Sequence, residues 1–126
     1  MTILGVIPQL RTTSLDDSID FYVSKLGFEL EFRYRDFYAG ITVGPQSFHL
    51  KLVDSKDPSI GFVSDGGHLH LYFPTDEVDA LALRLQRNGV VLRRDLADTA
   101  WETREFWVED DQGHLLCFGQ RLTSAT

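Results

Sequence analysis

The sequence predicts an α+β fold: two tandem βαβββ modules that form a curved mixed sheet around a cleft, with the helices on the outer face. Three observations carry this reading. The two halves repeat one order of elements, a short strand, a helix, then further strands. Each helix opens on acidic residues and stops at a glycine, Gly27 or Gly89, the residue type that best tolerates a left-handed helix end. Each half closes on a hairpin whose turn is built from glycine, proline, asparate or glutamine.

The elements follow in order. Val6, Pro8 and Leu10 alternate with Ile7, Gln9 and Arg11, the period of a half-buried strand. Ser14 is placed to cap the next helix, with Asp17 three residues on. Leu15, Ile19, Tyr22 and Leu26 then recur at helical spacing. Phe28, Leu30, Phe32 and Tyr34 alternate with charged residues as a second strand, and Ile41–Val43 and Phe48–Val53 flank the turn Gly44-Pro45-Gln46-Ser47. In the second half His68–Phe73 reads as the opening strand and Thr75 as the cap. Val78, Leu81 and Leu85 form the apolar stripe of the helix, and Val90–Arg94 the next strand. Asp95–Ala100 reads as a mobile loop, and Phe106–Val108 and His114–Gly119 as the last hairpin. Residues 1–55 thus make the first module, 56–67 a polar linker with Pro58 and glycines, 68–121 the second module, and 122–126 a frayed tail.

Composition bounds the function. A chain of 126 residues that is 43% hydrophobic suits one compact domain or two fused halves. Its net charge of −7 argues against a nucleic-acid partner, whose phosphates it would repel. No apolar run approaches the ~20 residues that a membrane span needs. The first residues lack a basic segment of the secretory kind, and one cysteine, Cys117, fits a reducing cytoplasm.

Alternation assigns the sheet faces. Phe48, Leu50 and Leu52 cover a helix, which leaves His49 and Lys51 on the other side. Leu69, Leu71 and Phe73 do the same and leave His68, His70 and Tyr72. Leu116 and Phe118 face the second helix, with Leu115, Cys117 and Gly119 opposite, and Glu105 shares a face with Trp107. The face away from the helices therefore mixes imidazoles, aromatics and a few polar groups, the composition of a ligand-receiving surface.

The stretches Ser14–Tyr22, Lys25-Leu26-Gly27-Phe28, Gly67–Leu71 and Arg104–His114 resemble the glyoxalase, bleomycin-resistance and extradiol-dioxygenase superfamily, also called vicinal oxygen chelate proteins. The resemblance runs from about residue 4 to residue 121. It implies a small-molecule cleft, and in the metal-dependent members four ligand positions, which here carry Ile7, His49, His68 and Cys117. Isoleucine cannot bind a metal, so the resemblance is closest to the metal-free, bleomycin-resistance-like branch. That branch implies sequestration of an aromatic or polycyclic compound at a dimer interface, with no cofactor. The alternative is a lyase, isomerase or dioxygenase whose divalent metal is held by His49 and His68.

The candidate ligand-binding residues are Phe37, His49, Lys51, His68, His70, Tyr72, Trp101, Glu105 and Cys117. His49 and His68 are open to three readings: former metal ligands, ligand donors, or structural histidines. Trp101 follows a polar loop and reads as a stacking wall, and Phe37 as another. Trp107 reads first as core. Lys51 serves either as a snorkelling strand residue or as an anion contact, and Cys117 as a small buried hydrophobe. The terminal strands leave edges to cover, so a homodimer is expected.

Overall fold

The computed structural model describes residues 1–122, and it divides into two compact units, Met1–Asp57 and the chain from Pro58 on. In the first unit β1 (Gln9–Thr12) is followed by α1 (Leu15–Asp20), which runs into a π-helical turn (Phe21–Lys25). Then come β2 (Glu29–Tyr34), β3 (Tyr38–Val43) and β4 (Gln46–Leu52). The sheet order is β1-β4-β3-β2, with β1 parallel to β4 and the other pairs antiparallel. The second unit opens with α2 (Pro58–Asp65) and then repeats the motif with β5 (Leu71–Pro74), α3 (Val78–Arg87), β6 (Leu92–Asp98), β7 (Thr103–Glu109) and β8 (Leu115–Arg121). Its order, β5-β8-β7-β6, and its parallel and antiparallel pairings match those of the first. The tandem α+β arrangement is as the repeat in the sequence predicts.

Each unit buries the helix-facing side of its sheet. Tyr22, Leu15 and Leu26 are fully buried with Ile41, Phe48 and Leu50, and the Tyr22 ring meets Phe48 edge-on at 4.9 Å. In the second unit Val78, Ala82 and Leu85 of α3 are buried together with Phe106, Val108, Leu116 and Phe118, and Phe118 stacks between Phe73 (4.9 Å) and Phe106 (5.1 Å). Burying each such side chain stabilises the fold by roughly 1.5–3 kcal/mol, which offsets the cost of ordering the chain.

Helix ends decide where several expectations fail. The Ser14 hydroxyl accepts the Asp17 N–H at 3.3 Å, the cap expected there. Thr75 is not the cap of α3. The Val78 N–H is satisfied by the side-chain oxygen of Gln120 at 3.0 Å, from two strands away, and Thr75 reaches only the Glu77 N–H at 3.5 Å. The segment 56–67, which reads as a linker, carries α2. Pro58 takes the first helical position, where a missing N–H costs nothing. Its glycines are the helix stop: Gly67 adopts φ 73°, its N–H reaches the Ser64 carbonyl, and the His68 N–H reaches back to Val63 at 3.0 Å. His68 is thereby withdrawn from the strand, and β5 begins three residues later than its alternating pattern predicts. Residues 95–98, expected in a mobile loop, belong to β6, whose exposed polar side chains and register shifts mask the strand period. Of the expected frayed tail, Leu122 is tied by its N–H to the Glu102 carbonyl at 2.9 Å, and residues 123–126 lie outside the described residues.

Candidate functional site

Each sheet presents a second face, away from its helix, and the register fixes who stands on it. In the first unit Gln9 pairs with His49 and Arg11 with Lys51 across β1 and β4, while Gly40 and Tyr38 occupy the same rows on β3. Gln9, not Ile7, is therefore the residue beside His49, and Ile7 precedes β1 with its side chain exposed. The Tyr38 hydroxyl accepts from the Gln9 amide at 3.2 Å and lies 3.0 Å from His49 Nδ1. Phe32 lies edge-on to His49 at 5.2 Å, and an added Cβ on Gly40 would come within 2.7 Å of the Phe32 ring. Only glycine leaves that ring room to lie flat. Phe37 is exposed, tilted against Tyr38 at 6.2 Å, with the Lys51 ammonium 6.0 Å from its ring centre.

In the second unit Tyr72 pairs with Cys117, and Trp107 and Glu105 pair with Cys117 and Gly119. Tyr72, Glu105, Trp107 and Cys117 therefore share one face; alternation alone predicts Tyr72 and Cys117 there and ties Glu105 only to Trp107. Tyr72 lies across Gly119, where an added Cβ would meet its ring carbon at 2.7 Å. Glu105 is only 8% exposed, yet one of its oxygens, Oε2, accepts from the Tyr72 hydroxyl at 3.0 Å and from the Thr103 hydroxyl at 2.9 Å. Thr103 Oγ1 lies 2.8 Å from Thr99 Oγ1. The Thr99 hydroxyl also donates to the Thr103 carbonyl at 3.2 Å, so closely spaced hydroxyls run from the β6–β7 turn to the carboxylate. Arg94 stacks on Trp107, its guanidinium carbon 4.7 Å from the ring centre. The Trp107 indole N–H is the one buried side-chain polar atom without a hydrogen-bond partner among the described residues.

Burial, the hydrogen bond to Glu105 and that residue's charge push the Tyr72 hydroxyl up to about 12. Burial and then the Glu105 charge push the Cys117 thiol to about 12 as well. Both stay protonated near neutral pH, so Cys117 is neither a ready nucleophile nor a thiolate ligand.

The remaining candidates are placed as follows. His68 is exposed in the loop after α2. His70 is pinned: its Nδ1 accepts the Leu115 N–H at 2.9 Å, and its ring meets the buried His114 edge-on at 4.9 Å. His114 is in turn held by Asp110 at 2.7 Å. Trp101 is 68% exposed at the tip of the tight turn joining β6 and β7, where Thr99 and Thr103 are bonded main chain to main chain at 2.8 Å. The next residue, Glu102, is held at φ 68°, a left-handed conformation that few non-glycine residues adopt. Sequence reasoning missed Thr103, Thr99, Arg94, Tyr38 and Phe32. Thr103 was within reach, since it alternates with Glu105, whereas the others needed the register.

The donor set does not fit the metal centre of the metal-dependent relatives. Among the described residues no group of three or more histidine, cysteine, aspartate or glutamate side chains is arranged to hold a metal ion. His49 is bonded to the Tyr38 hydroxyl, and His68 has left the strand.

The sequence profile of the Glyoxalase/Bleomycin resistance protein/Dioxygenase superfamily matches residues 5–118. The chain belongs to this superfamily. No curated protein matches it by sequence. Among solved structures it is similar to a superfamily member from Alicyclobacillus acidocaldarius, with TM-score 0.76, 22% identity, and coverage of 98% of this chain and 96% of that one. It is also similar to the bleomycin-binding protein of bleomycin-producing Streptomyces verticillus, complexed with copper(II)-bleomycin (TM-score 0.70, 22% identity, 98% and 99% covered). A third similar structure is lactoylglutathione lyase from Agrobacterium tumefaciens (TM-score 0.72, 16% identity, 95% and 96% covered). These likenesses establish the superfamily fold, which binding proteins and enzymes share, and leave activity to the side chains.

Proposed function

We infer that this protein binds and sequesters a small aromatic or polycyclic compound through its own side chains, with no metal of its own, a reading favoured by the fold it shares with a bleomycin-binding protein. The observation that carries this reading is the open face of the second sheet. An exposed Tyr72 and the half-buried Trp107 there share the face with a buried, hydrogen-bonded carboxylate, while in the first unit Gln9 rather than Ile7 stands beside His49, and His68 has left its strand. Flat rings with one fixed polar group are what recognition of a planar molecule needs. Tyr72 and Cys117 both hold their protons far above neutral pH, so neither serves there as a base or a nucleophile.

The protein acts as a homodimer in the cytoplasm on this reading. Supporting the dimer, β2 is a sheet edge with Leu30, Phe32 and Tyr34 all exposed, a row that a second copy would cover. No helix among the described residues is long and apolar enough to cross a membrane. Titration with a panel of planar aromatic compounds, followed by tryptophan fluorescence, tests the reading. Saturable quenching that is lost in a Tyr72→Ala, Trp107→Phe double variant is expected, and a flat response across the panel sinks it. Elemental analysis of protein purified without chelator checks the other branch: a stoichiometric divalent metal that His49→Ala removes would turn the assignment to a metal-dependent enzyme.

A further inference from the structure

The open face of the second sheet carries a charge that the fold does not neutralise. Glu105 is 8% exposed, and none of the ion pairs among the described residues includes it. Its hydrogen-bond partners are neutral: the Tyr72 and Thr103 hydroxyls, both on one oxygen, and the Cys117 thiol. Arg94 on the same sheet stacks on the Trp107 ring and forms no ion pair with Glu105. A buried carboxylate is normally matched by a cation, because neutral donors recover only part of its lost hydration. Here the chain has instead invested in holding it still. Gly119 clears the space in which Tyr72 lies flat to reach it, and Thr103 is held at the turn by Thr99, through its N–H at 3.1 Å and its carbonyl at 3.2 Å.

Resting on the binding reading above, we propose that Glu105 is the specificity-determining residue of this face. It selects ligands whose planar ring system carries a protonated nitrogen, with the ring laid against Tyr72 and the N–H directed to the carboxylate. Thr103 and Tyr72 are its positioning residues. A charge-assisted hydrogen bond in a partly dry site discriminates a cation from its neutral analogue by about 10- to 100-fold.

A matched pair of probes tests this: 9-aminoacridine, protonated at about pH 8, and acridine, neutral there, titrated calorimetrically into the full-length protein. Wild type should prefer 9-aminoacridine by about tenfold or more. Glu105→Gln keeps an oxygen for Tyr72 and Thr103 but removes the charge. It should abolish the preference and melt no lower than wild type. Thr103→Val should erode the preference and Thr103→Ser restore it, which a purely structural role would not produce. Equal affinity for the two probes in wild type, or a preference that survives in Glu105→Gln, overturns this proposal and leaves the sequestration reading standing. If neither probe binds, both fall.

Discussion

The two open sheet faces use the same device for different ends. On each, an aromatic ring from an edge strand lies across a glycine of its neighbour, Phe32 over Gly40 in the first unit and Tyr72 over Gly119 in the second. The rings come from opposite edges of the motif, β2 in one and β5 in the other, so the two arrangements are not copies. What lies beside each ring also differs. Phe32 borders an imidazole bonded to Tyr38, which in turn accepts from Gln9, and Tyr72 borders a buried carboxylate. The helix-facing sides have stayed alike, because packing constrains them, while the open sides have diverged in polar content. The repeat sets the scaffold, and the face opposite the helix carries the individuality.

The largest expected effects test that likeness of the packed sides. Tyr22→Ala and Phe106→Ala each empty a fully buried aromatic site, and each should cost about 3–5 kcal/mol of stability in urea melts. A cost below about 1 kcal/mol for either one would show that its unit collapses around the cavity, and the equivalence of the two cores would fail. Smaller, and aimed at the open sides, are Gly40→Ala and Gly119→Ala. Both force a ring off its glycine, an overpacking expected to cost about 1–3 kcal/mol.

The glycine variants also separate the faces by titration. The Tyr72 hydroxyl is held at about 12, against an ordinary 10.0, first by burial and then by Glu105. The folded state binds this proton more tightly than the unfolded chain does. Stability from it is therefore complete below pH 10 and is lost as pH climbs from 10 toward 12. Cys117, raised from 9.0 to about 12, acts with the same sign from pH 9 upward. Tyrosinate absorbance should show a late-titrating component that disappears in Tyr72→Phe and moves to lower pH in Glu105→Gln and Gly119→Ala. Gly40→Ala should leave it in place. A late component untouched by all of these would detach Tyr72 from Glu105.

How much of this was legible in sequence follows the same divide. Period-two alternation is a local signal, so it placed Tyr72 and Cys117 on one face and His49 and Lys51 on another, where the register puts them. Alternation fails where the backbone does something non-local or where a polar strand hides its period. His68 continues the pattern of β5 perfectly, yet its N–H is claimed by α2, whose stop at Gly67 has the composition of a linker. The exposed residues of β6 look like loop because an edge strand with register shifts has no dry side. The link from Thr99 through Thr103 to Glu105 was invisible for another reason: hydroxyl geometry, not residue type, makes it a chain.

The helix starts offer the finest contrast between the units. In α1 the cap is local, Ser14 to the Asp17 N–H, and a Ser14→Ala change should cost about 1 kcal/mol. In α3 the same job belongs to Gln120, 42 residues further along the chain, with Thr75 at the edge of bonding distance. Thr75→Ala should therefore fall within about 0.5 kcal/mol of wild type, whereas Gln120→Ala should cost about as much as the loss of a serine cap. Such a side chain ties β8 to the start of α3 and can form its bond only after the sheet has assembled. Its loss should thus appear mainly as faster unfolding, and the loss of Ser14 more in the folding rate. Reversal of the two equilibrium effects, with Thr75 costly and Gln120 silent, would return the cap to the residue that the local sequence favours.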